Sequence, residues 1–159
     1  MKKIIALACM AWLGLAGVLA DNISAEDISL KATETATVEI NLTNTATNLV
    51  GFKMDLTLPA GISINKAGCQ LSSRFGDPDQ VLTIGKQGDN VYRLTSTSFA
   101  LTPISGTSGT LLTLSLTAAE TAESGTATLS NMRFVTGNSE RVTMDNASFS
   151  ITVTPNQEE

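Results

Sequence analysis

The chain has 159 residues, a formal net charge of −5 at pH 7 and no histidine. The excess of acidic residues argues against nucleic acids and anionic membranes as partners, because both carry negative charge themselves. The absence of an imidazole excludes Ser-His-Asp and Cys-His catalysis, and zinc sites of the HExxH type, within this chain.

The first twenty residues are typical of a secretory signal peptide. Met1-Lys2-Lys3 is a short basic start, residues 4–19 are almost wholly apolar, and Ala20 offers a small residue for cleavage before Asp21. The apolar run is short and rich in glycine and alanine, which disfavours a membrane span. We therefore expect cleavage after Ala20, secretion or display at the cell surface, and no membrane insertion after cleavage. The alternative is lipid attachment at Cys9, which lies in a weakly lipobox-like sequence.

The next segments alternate apolar and polar residues, which predicts half-buried strands. Residues 37–43 form the first strand, and residues 44–48 form a polar turn. Its inward-facing residues are Val38, Ile40 and Leu42. Residues 50–58 form the clearest strand, and a short third strand follows at residues 62–64. The inward-facing residues of the clearest strand are Val50, Phe52, Met54, Leu56 and Leu58, and its outward-facing residues are Gly51, Lys53, Asp55 and Thr57.

The remaining segments predict loops, one hairpin and further strands. Residues 65–79 and 102–109 are loops that contain glycine and proline. Residues 81–84 and 91–94 flank a turn at residues 87–90, which is typical of a β-hairpin. The last strands are predicted at residues 112–116, 126–135 and 147–153. Outside the first twenty residues, no segment has the period of a helix.

Short strands between glycine-, proline- and asparagine-rich turns predict an all-β fold. We expect an antiparallel two-sheet β-sandwich with jelly-roll topology and about nine strands. The predicted boundaries are residues 1–20 for the signal peptide, 21–153 for the sandwich and 154–159 for a flexible acidic tail.

The cysteine and aromatic residues are expected to lie in the hydrophobic core rather than in a binding site. Cys69 is the only cysteine after residue 20, so a small buried side chain is expected and an internal disulfide is not. Five phenylalanines are also expected in the core: Phe52, Phe75, Phe99, Phe134 and Phe149. Because Tyr92 is the only tyrosine and no tryptophan follows residue 20, a platform of aromatic rings for a polysaccharide is not expected.

Acidic residues do not form a convincing metal or catalytic set. Residues 77–79 and 89–90 carry aspartates, but calcium takes about six to eight oxygen ligands, so turn formation is the preferred interpretation. Paired carboxylates for glycoside hydrolysis would have to face one cleft, and no spacing selects such a pair. We expect no catalytic residue, no metal and no cofactor, and therefore a protein that is not an enzyme.

Several segments, taken in order, resemble a known family. They are residues 37–42, 49–61, 104–116, 124–131 and 149–153. Together they resemble the cohesin domain, which belongs to a wider set of β-sandwiches similar to carbohydrate-binding modules. The resemblance spans roughly residues 22–153.

The resemblance implies a nine-stranded jelly roll that holds dockerin modules of polysaccharide-degrading enzymes on one flat sheet. Two strands of that sheet correspond to residues 50–58 and roughly 91–98. In well-known cohesins an outward Asn and an outward Asp of the first strand bind the dockerin, and the matching positions here are Gly51 and Lys53. The candidate binding residues are therefore Gly51, Lys53, Asp55, Thr57, Ser96 and Ser98.

We accordingly expect a secreted, non-catalytic binding module whose partner is a protein, such as a dockerin-bearing protein in extracellular polysaccharide degradation or surface assembly. Two alternatives stay open. One is a carbohydrate-binding module with a polysaccharide ligand, and the other is an adhesin or pilus-like subunit joined by strand donation. For Lys53 and Asp55, the alternative to a binding role is an ordinary solvated outer face.

Overall fold

A computed structural model describes residues 21–157 as two β-sheets packed face to face, with one turn of 3₁₀ helix at Lys66–Gly68. The predicted two-sheet β-sandwich is thereby confirmed. The predicted signal peptide and the last two residues of the predicted tail lie outside the described residues. Within the described range, no helix is long and apolar enough to cross a membrane.

Twelve strands lie within the described residues. In chain order they are β1 (Asn22–Ala25), β2 (Ile28–Lys31), β3 (Thr35–Thr43), β4 (Leu49–Thr57), β5 (Ile62–Ile64), β6 (Gln70–Leu71), β7 (Thr83–Lys86), β8 (Val91–Thr97), β9 (Thr110–Ala118), β10 (Gly125–Thr136), β11 (Arg141–Thr143) and β12 (Ala147–Thr154). The predicted hairpin is β7–β8, and the predicted long strands are β3, β4, β9, β10 and β12. Sequence reasoning missed β1, β2, β6 and β11, which are too short to show alternation.

One sheet has five strands and the other has seven. In the five-stranded sheet the order is β1-β3-β9, with β5 and β6 following one another along the second edge of β9. In the seven-stranded sheet the order is β2-β12-β10-β4-β8-β7, and β11 also pairs with β10. The strand pairs are antiparallel, except that β2 runs parallel to β12.

The N-terminal segment joins both sheets. β1 pairs with β3 in the five-stranded sheet, and two residues later β2 pairs with β12 in the seven-stranded sheet. The Asp27 carboxylate accepts a 2.7 Å hydrogen bond from the Ser150 backbone N–H at this crossing. The chain passes from one sheet to the other here without reversing its direction, and β2 lies parallel to β12.

The inner faces of the sheets form the core, as the alternation predicts. The inward side chains of β3, β4 and β9 are at most 3% exposed: Val38, Ile40, Leu42, Phe52, Met54, Leu56, Leu112, Leu114 and Leu116. Burial of each such side chain stabilises the folded chain by about 1.5–3 kcal/mol relative to leaving it in water. The outer faces contribute less to this core and are available for other roles.

Residues 72–82, which we call the connecting segment, lead from β6 in one sheet to β7 in the other. This segment is irregular, yet three of its polar side chains are only 9% exposed: Arg74, Asp77 and Gln80. Its backbone has no strand ladder and uses isolated bonds instead, such as those from the Ser72 N–H to the Leu111 carbonyl and from the Ser105 N–H to the Arg74 carbonyl. The Gln80 side chain attaches the segment to β4 through a 3.4 Å bond from its amide to the Val50 carbonyl oxygen.

Arg74 uses all five of its N–H donors, at distances of 2.7–3.2 Å. The acceptors are the side-chain oxygen of Asn44 and the carbonyl oxygens of Leu42, Ser105, Gly106 and Gly109. Burial lowers the pKa of the Arg74 guanidinium, but arginine is effectively always protonated in proteins, so the group stays charged. The guanidinium therefore ties the connecting segment to the end of β3 and to the loop before β9.

Replacement of Arg74 by methionine is expected to lower the free energy of unfolding by about 2–4 kcal/mol, because several buried carbonyl oxygens lose their donor. Arg74→Lys is expected to recover only part of this loss, since one ammonium cannot reproduce the planar five-donor fork. Urea denaturation measures both values, with Lys86→Met at an exposed position as the control. Full stability of Arg74→Lys would show that charge alone holds the loops.

Candidate functional site

The candidate site is the solvent side of β10, β4, β8 and β7, which we call the outer face. Strand register places Lys53 at its centre, directly between Thr95 of β8 and Arg133 of β10. Asp55 lies opposite Arg93, and Gly51 lies opposite Thr97. The two central strands that the sequence predicted for a binding sheet are therefore neighbours in this sheet.

Asp55 is at the centre of a polar network across three strands. Arg93 donates to it from Nε at 2.8 Å and from Nη2 at 3.0 Å, and the Asn131 amide donates at 3.0 Å. Asn131 reaches Asp55 because β10 is irregular after Ser130 and places Asn131 at a φ of 51°. Asp55 is only 5% exposed, so it is not the solvated charge that the alternative interpretation expected.

The hydrogen bonds from Arg93 hold the pKa of the Asp55 carboxyl below its ordinary value, although burial opposes them. A carboxyl with a lower pKa in the folded than in the unfolded chain stabilises the fold while it is ionised. This stabilisation is present at pH values above the pKa of the unfolded chain, which is near 4. It is lost as the pH falls through the lower pKa of the folded chain.

Asp55→Asn is therefore expected to flatten the loss of stability as the pH falls below about 4, because the substituted side chain no longer titrates. Urea denaturation at a series of pH values measures this slope. Asp89→Asn, in the exposed turn between β7 and β8, is the matched control. An unchanged slope for Asp55→Asn would mean that the ion pair with Arg93 does not couple to folding.

A cationic depression lies beside this network. Its basic side chains come from β4, β10 and β11: Lys53, Arg133 and Arg141. Thr95, Thr97, Val135 and Ser139 also line it. Among residues 21–157 the only ion pair within 4.0 Å joins Arg93 to Asp55, so these three cations have no carboxylate at that distance within the described chain.

An exposed apolar corner adjoins the cationic depression. Its members are Phe99, which is 96% exposed, and Val81, which is 67% exposed. Val81 and Phe99 line a second, smaller depression, and Thr95 and Thr97 line both depressions. Cations and apolar side chains therefore form one continuous surface.

The prediction that Phe99 lies in the core is wrong. Ser98, the residue before it, points inward and is fully buried, so Phe99 points to solvent at the end of β8. The Ser98 hydroxyl donates to the Asp77 carboxylate and accepts a 3.0 Å bond from the Thr102 backbone N–H. The connecting segment, through Asp77, thus holds the turn that presents Phe99.

Two of the six candidate binding residues do not reach the outer face. Ser96 is 3% exposed and Ser98 is fully buried, because they follow Tyr92 and Leu94 on the inward side of β8. The outward residues of this strand are Arg93, Thr95 and Thr97, and alternation from Leu94 could have identified them.

The other four candidates lie on β4. Lys53 and the exposed Thr57 present side chains on the outer face, and Asp55 is enclosed by its partners. Gly51 contributes backbone alone: a Cβ at this position would lie 2.7 Å from the Ser96 carbonyl oxygen, closer than real Cβ atoms approach. A larger residue at Gly51 would push β4 and β8 apart.

Replacement of the two inward serines, Ser96 and Ser98, is expected to have different effects on stability. The Ser96 hydroxyl is buried and has no hydrogen-bond partner among the described residues. Ser96→Ala is expected to leave stability unchanged or to raise it by up to about 1 kcal/mol, because an unpaired buried hydroxyl is costly. Ser98→Ala is expected to lower the unfolding midpoint and to disorder the Phe99 turn. Thermal unfolding tests both variants, and equal midpoints would contradict the role of the Ser98 bonds.

The hydrogen bonds of Asp77 and the burial of Cys69 indicate that both residues have structural roles. Asp77 accepts bonds from Ser98 and from the Asp79 backbone N–H at 3.0 Å, and these bonds lower the pKa of its carboxyl, the Ser98 bond most. Within residues 21–157, no three or more His, Cys, Asp and Glu side chains are grouped to hold a metal ion. Cys69 is half-buried rather than buried, and burial raises the pKa of its thiol.

Comparison with solved structures identifies the architecture. A non-cellulosomal cohesin from the archaeon Archaeoglobus fulgidus is 16% identical, with a TM-score of 0.64 over 83% of this chain and 91% of that chain. The cohesin module of a family 33 glycoside hydrolase from Clostridium perfringens is 10% identical, with a TM-score of 0.69 over 86% and 98%. The sixth cohesin of scaffoldin B from Acetivibrio cellulolyticus, solved with a Cel5 dockerin, is 13% identical, with a TM-score of 0.68 over 84% and 99%.

These similarities show that the chain has the fold of a cohesin module, as the order of its sequence motifs predicted. The likeness is one of structure, because identities of 10–16% are too low to carry over individual residues. No family model matches the chain, and no curated protein matches its sequence.

Proposed function

We propose that this protein is a non-catalytic module that binds a protein partner through the outer face. The observation that carries the proposal is the continuous surface on which Phe99 and Val81 are exposed beside cations that have no carboxylate within 4.0 Å among residues 21–157. Isolated apolar side chains are ordinary on protein surfaces, but a 96% exposed phenylalanine that shares a depression with an exposed valine is typical of an interaction site.

The composition of the outer face suits a protein partner. Protein interfaces place a few aromatic and arginine anchors at the centre and polar groups at the rim, and these anchors supply most of the binding energy. Here Phe99 and Arg133 are candidate anchors, and Thr95 and Thr97 lie between them. A standard interface takes about 800 Å² from each partner, an area that one sheet of this size can supply.

A dockerin-like module is the partner class that we propose. The cohesin of similar fold from Acetivibrio cellulolyticus is bound to a dockerin in its solved structure, which supports this choice. The predicted signal peptide supports a place of action outside the cell or at its surface, in polysaccharide degradation or in surface assembly.

The described residues disfavour direct binding of a polysaccharide. Sugar-binding surfaces stack several aromatic rings against the ligand. Within residues 21–157, Phe99 is the one strongly exposed aromatic side chain, whereas Tyr92 is 7% exposed and Phe75 is half-buried against Phe52. A lone ring flanked by aliphatic side chains fits a protein contact better than a sugar platform.

A neutral steric block tests the outer face. Thr97→Trp places a bulky side chain between the two depressions and is expected to weaken binding of dockerin modules from the same organism by at least about tenfold. Thr37→Trp, at an exposed position on the outer face of the five-stranded sheet, is the matched control and should bind as the unaltered protein does. Isothermal titration calorimetry measures affinity, and thermal unfolding checks that both variants fold.

Two outcomes would contradict the proposal. Equal binding by Thr97→Trp and Thr37→Trp would place the interface elsewhere. Retention of the unaltered protein on polysaccharide gels, without measurable affinity for any dockerin module, would favour the carbohydrate-binding alternative.

A further inference from the structure

The charge of the cationic depression is opposite in sign to that of the chain. Residues 21–159 hold 15 acidic and 8 basic residues, because Lys2 and Lys3 account for two of the 10 basic residues. Three of those eight, Lys53, Arg133 and Arg141, nevertheless meet in one depression. Such a local reversal of sign attracts anions to one place on a protein that otherwise repels them.

Folding alone does not explain this arrangement. Lys53 and Arg133 are directly opposite each other on neighbouring strands, where like charges are destabilising. Arg141 lies on β11, opposite Val135 and therefore two residues along β10 from Arg133. The Asp55 carboxylate interacts electrostatically with Lys53, but its oxygens already accept bonds from Arg93 and Asn131. Among residues 21–157, Arg133 and Arg141 have no carboxylate within 4.0 Å, so no ion pair offsets the repulsion between them.

We propose that the cationic depression binds carboxylate side chains of an acidic segment in the protein partner. The same segment would place an apolar side chain against Phe99 and Val81. This inference rests on the proposed function and adds the chemistry of the partner. Arginine forks form paired hydrogen bonds with carboxylates, and Arg133 and Arg141 supply two such forks.

The apolar corner favours a protein segment over an anionic polysaccharide. Thr95 and Thr97 line both depressions, so a ligand on the cations also meets Phe99 and Val81. An acidic peptide carries aliphatic or aromatic side chains that can cover this corner, whereas a uronic acid chain has none. The net negative charge of the chain also repels a long polyanion more than a short acidic segment.

Nuclear magnetic resonance with minimal probes tests the chemistry directly. ¹⁵N-labelled protein is titrated with a short peptide in which aspartates flank a leucine, with its asparagine counterpart, and with an oligogalacturonate. The aspartate peptide is expected to shift the amide signals of Lys53, Thr95, Thr97, Arg133 and Phe99, and the asparagine peptide to leave them in place. Raising the salt concentration from about 0.05 M to about 0.5 M should weaken the response at least about fivefold.

Charge-neutral variants assign the effect to the depression. Arg133→Gln combined with Arg141→Gln is expected to weaken aspartate-peptide binding about tenfold, and Arg133→Lys with Arg141→Lys to recover part of it. Lys31→Gln combined with Lys66→Gln removes the same charge from exposed positions elsewhere and is the matched control. Phe99→Ser is expected to weaken binding of the leucine-containing peptide and to leave the salt dependence of that binding unchanged.

The outcomes separate this inference from the proposed function. If Thr97→Trp abolishes dockerin binding but the glutamine variants and salt do not change it, the outer face binds protein and the acidic-partner inference is wrong. Equal response to the aspartate and asparagine peptides also overturns it. A response to oligogalacturonate alone overturns it in favour of an anionic polysaccharide.

Discussion

The five hydrogen bonds of the Arg74 guanidinium are the constraint on which one end of the sandwich depends. The connecting segment must pass from one sheet to the other without a strand ladder, and a buried backbone tolerates this only if side chains satisfy nearby polar groups. Arg74 serves the loop before β9 and the end of β3. Asp77, three residues later, holds Ser98, and Ser98 sets the direction of Phe99. The exposed apolar corner is therefore a consequence of a buried polar network.

The two sides of the seven-stranded sheet follow different physical rules. Its inner side is mostly apolar and gains stability from burial, although Ser96 of β8 also points inward. Its outer face contains a partly exposed ion pair between Asp55 and Arg93, and opposed like charges at Lys53 and Arg133, which are destabilising where they face each other. Departures from local preference concentrate where a protein interacts, which is consistent with a binding role for this face.

The likeness to cohesin modules at 10–16% identity has a physical explanation. A two-sheet sandwich needs apolar residues on inward positions and turn-forming residues between strands, and many sequences meet these conditions. The outer face does not have to meet these conditions, so its sequence can diverge while the fold is kept. For this reason the fold alone does not identify a partner, and the side chains of the outer face carry that information.

Much of the fold was predictable because alternation is a local property of the chain. The inward positions of β3, β4 and β9, the β7–β8 hairpin and the absence of α-helix from residues 21–157 all follow from neighbouring residues. The site was predictable in part: Lys53 and Thr57 lie on the outer face, but Ser96 and Ser98 do not. The partners of Asp55 and the exposure of Phe99 required the folded chain, because Arg93, Asn131 and Asp77 come from segments 21–76 residues away. Local pattern determines which way a strand residue points, whereas long-range contacts determine what it meets there.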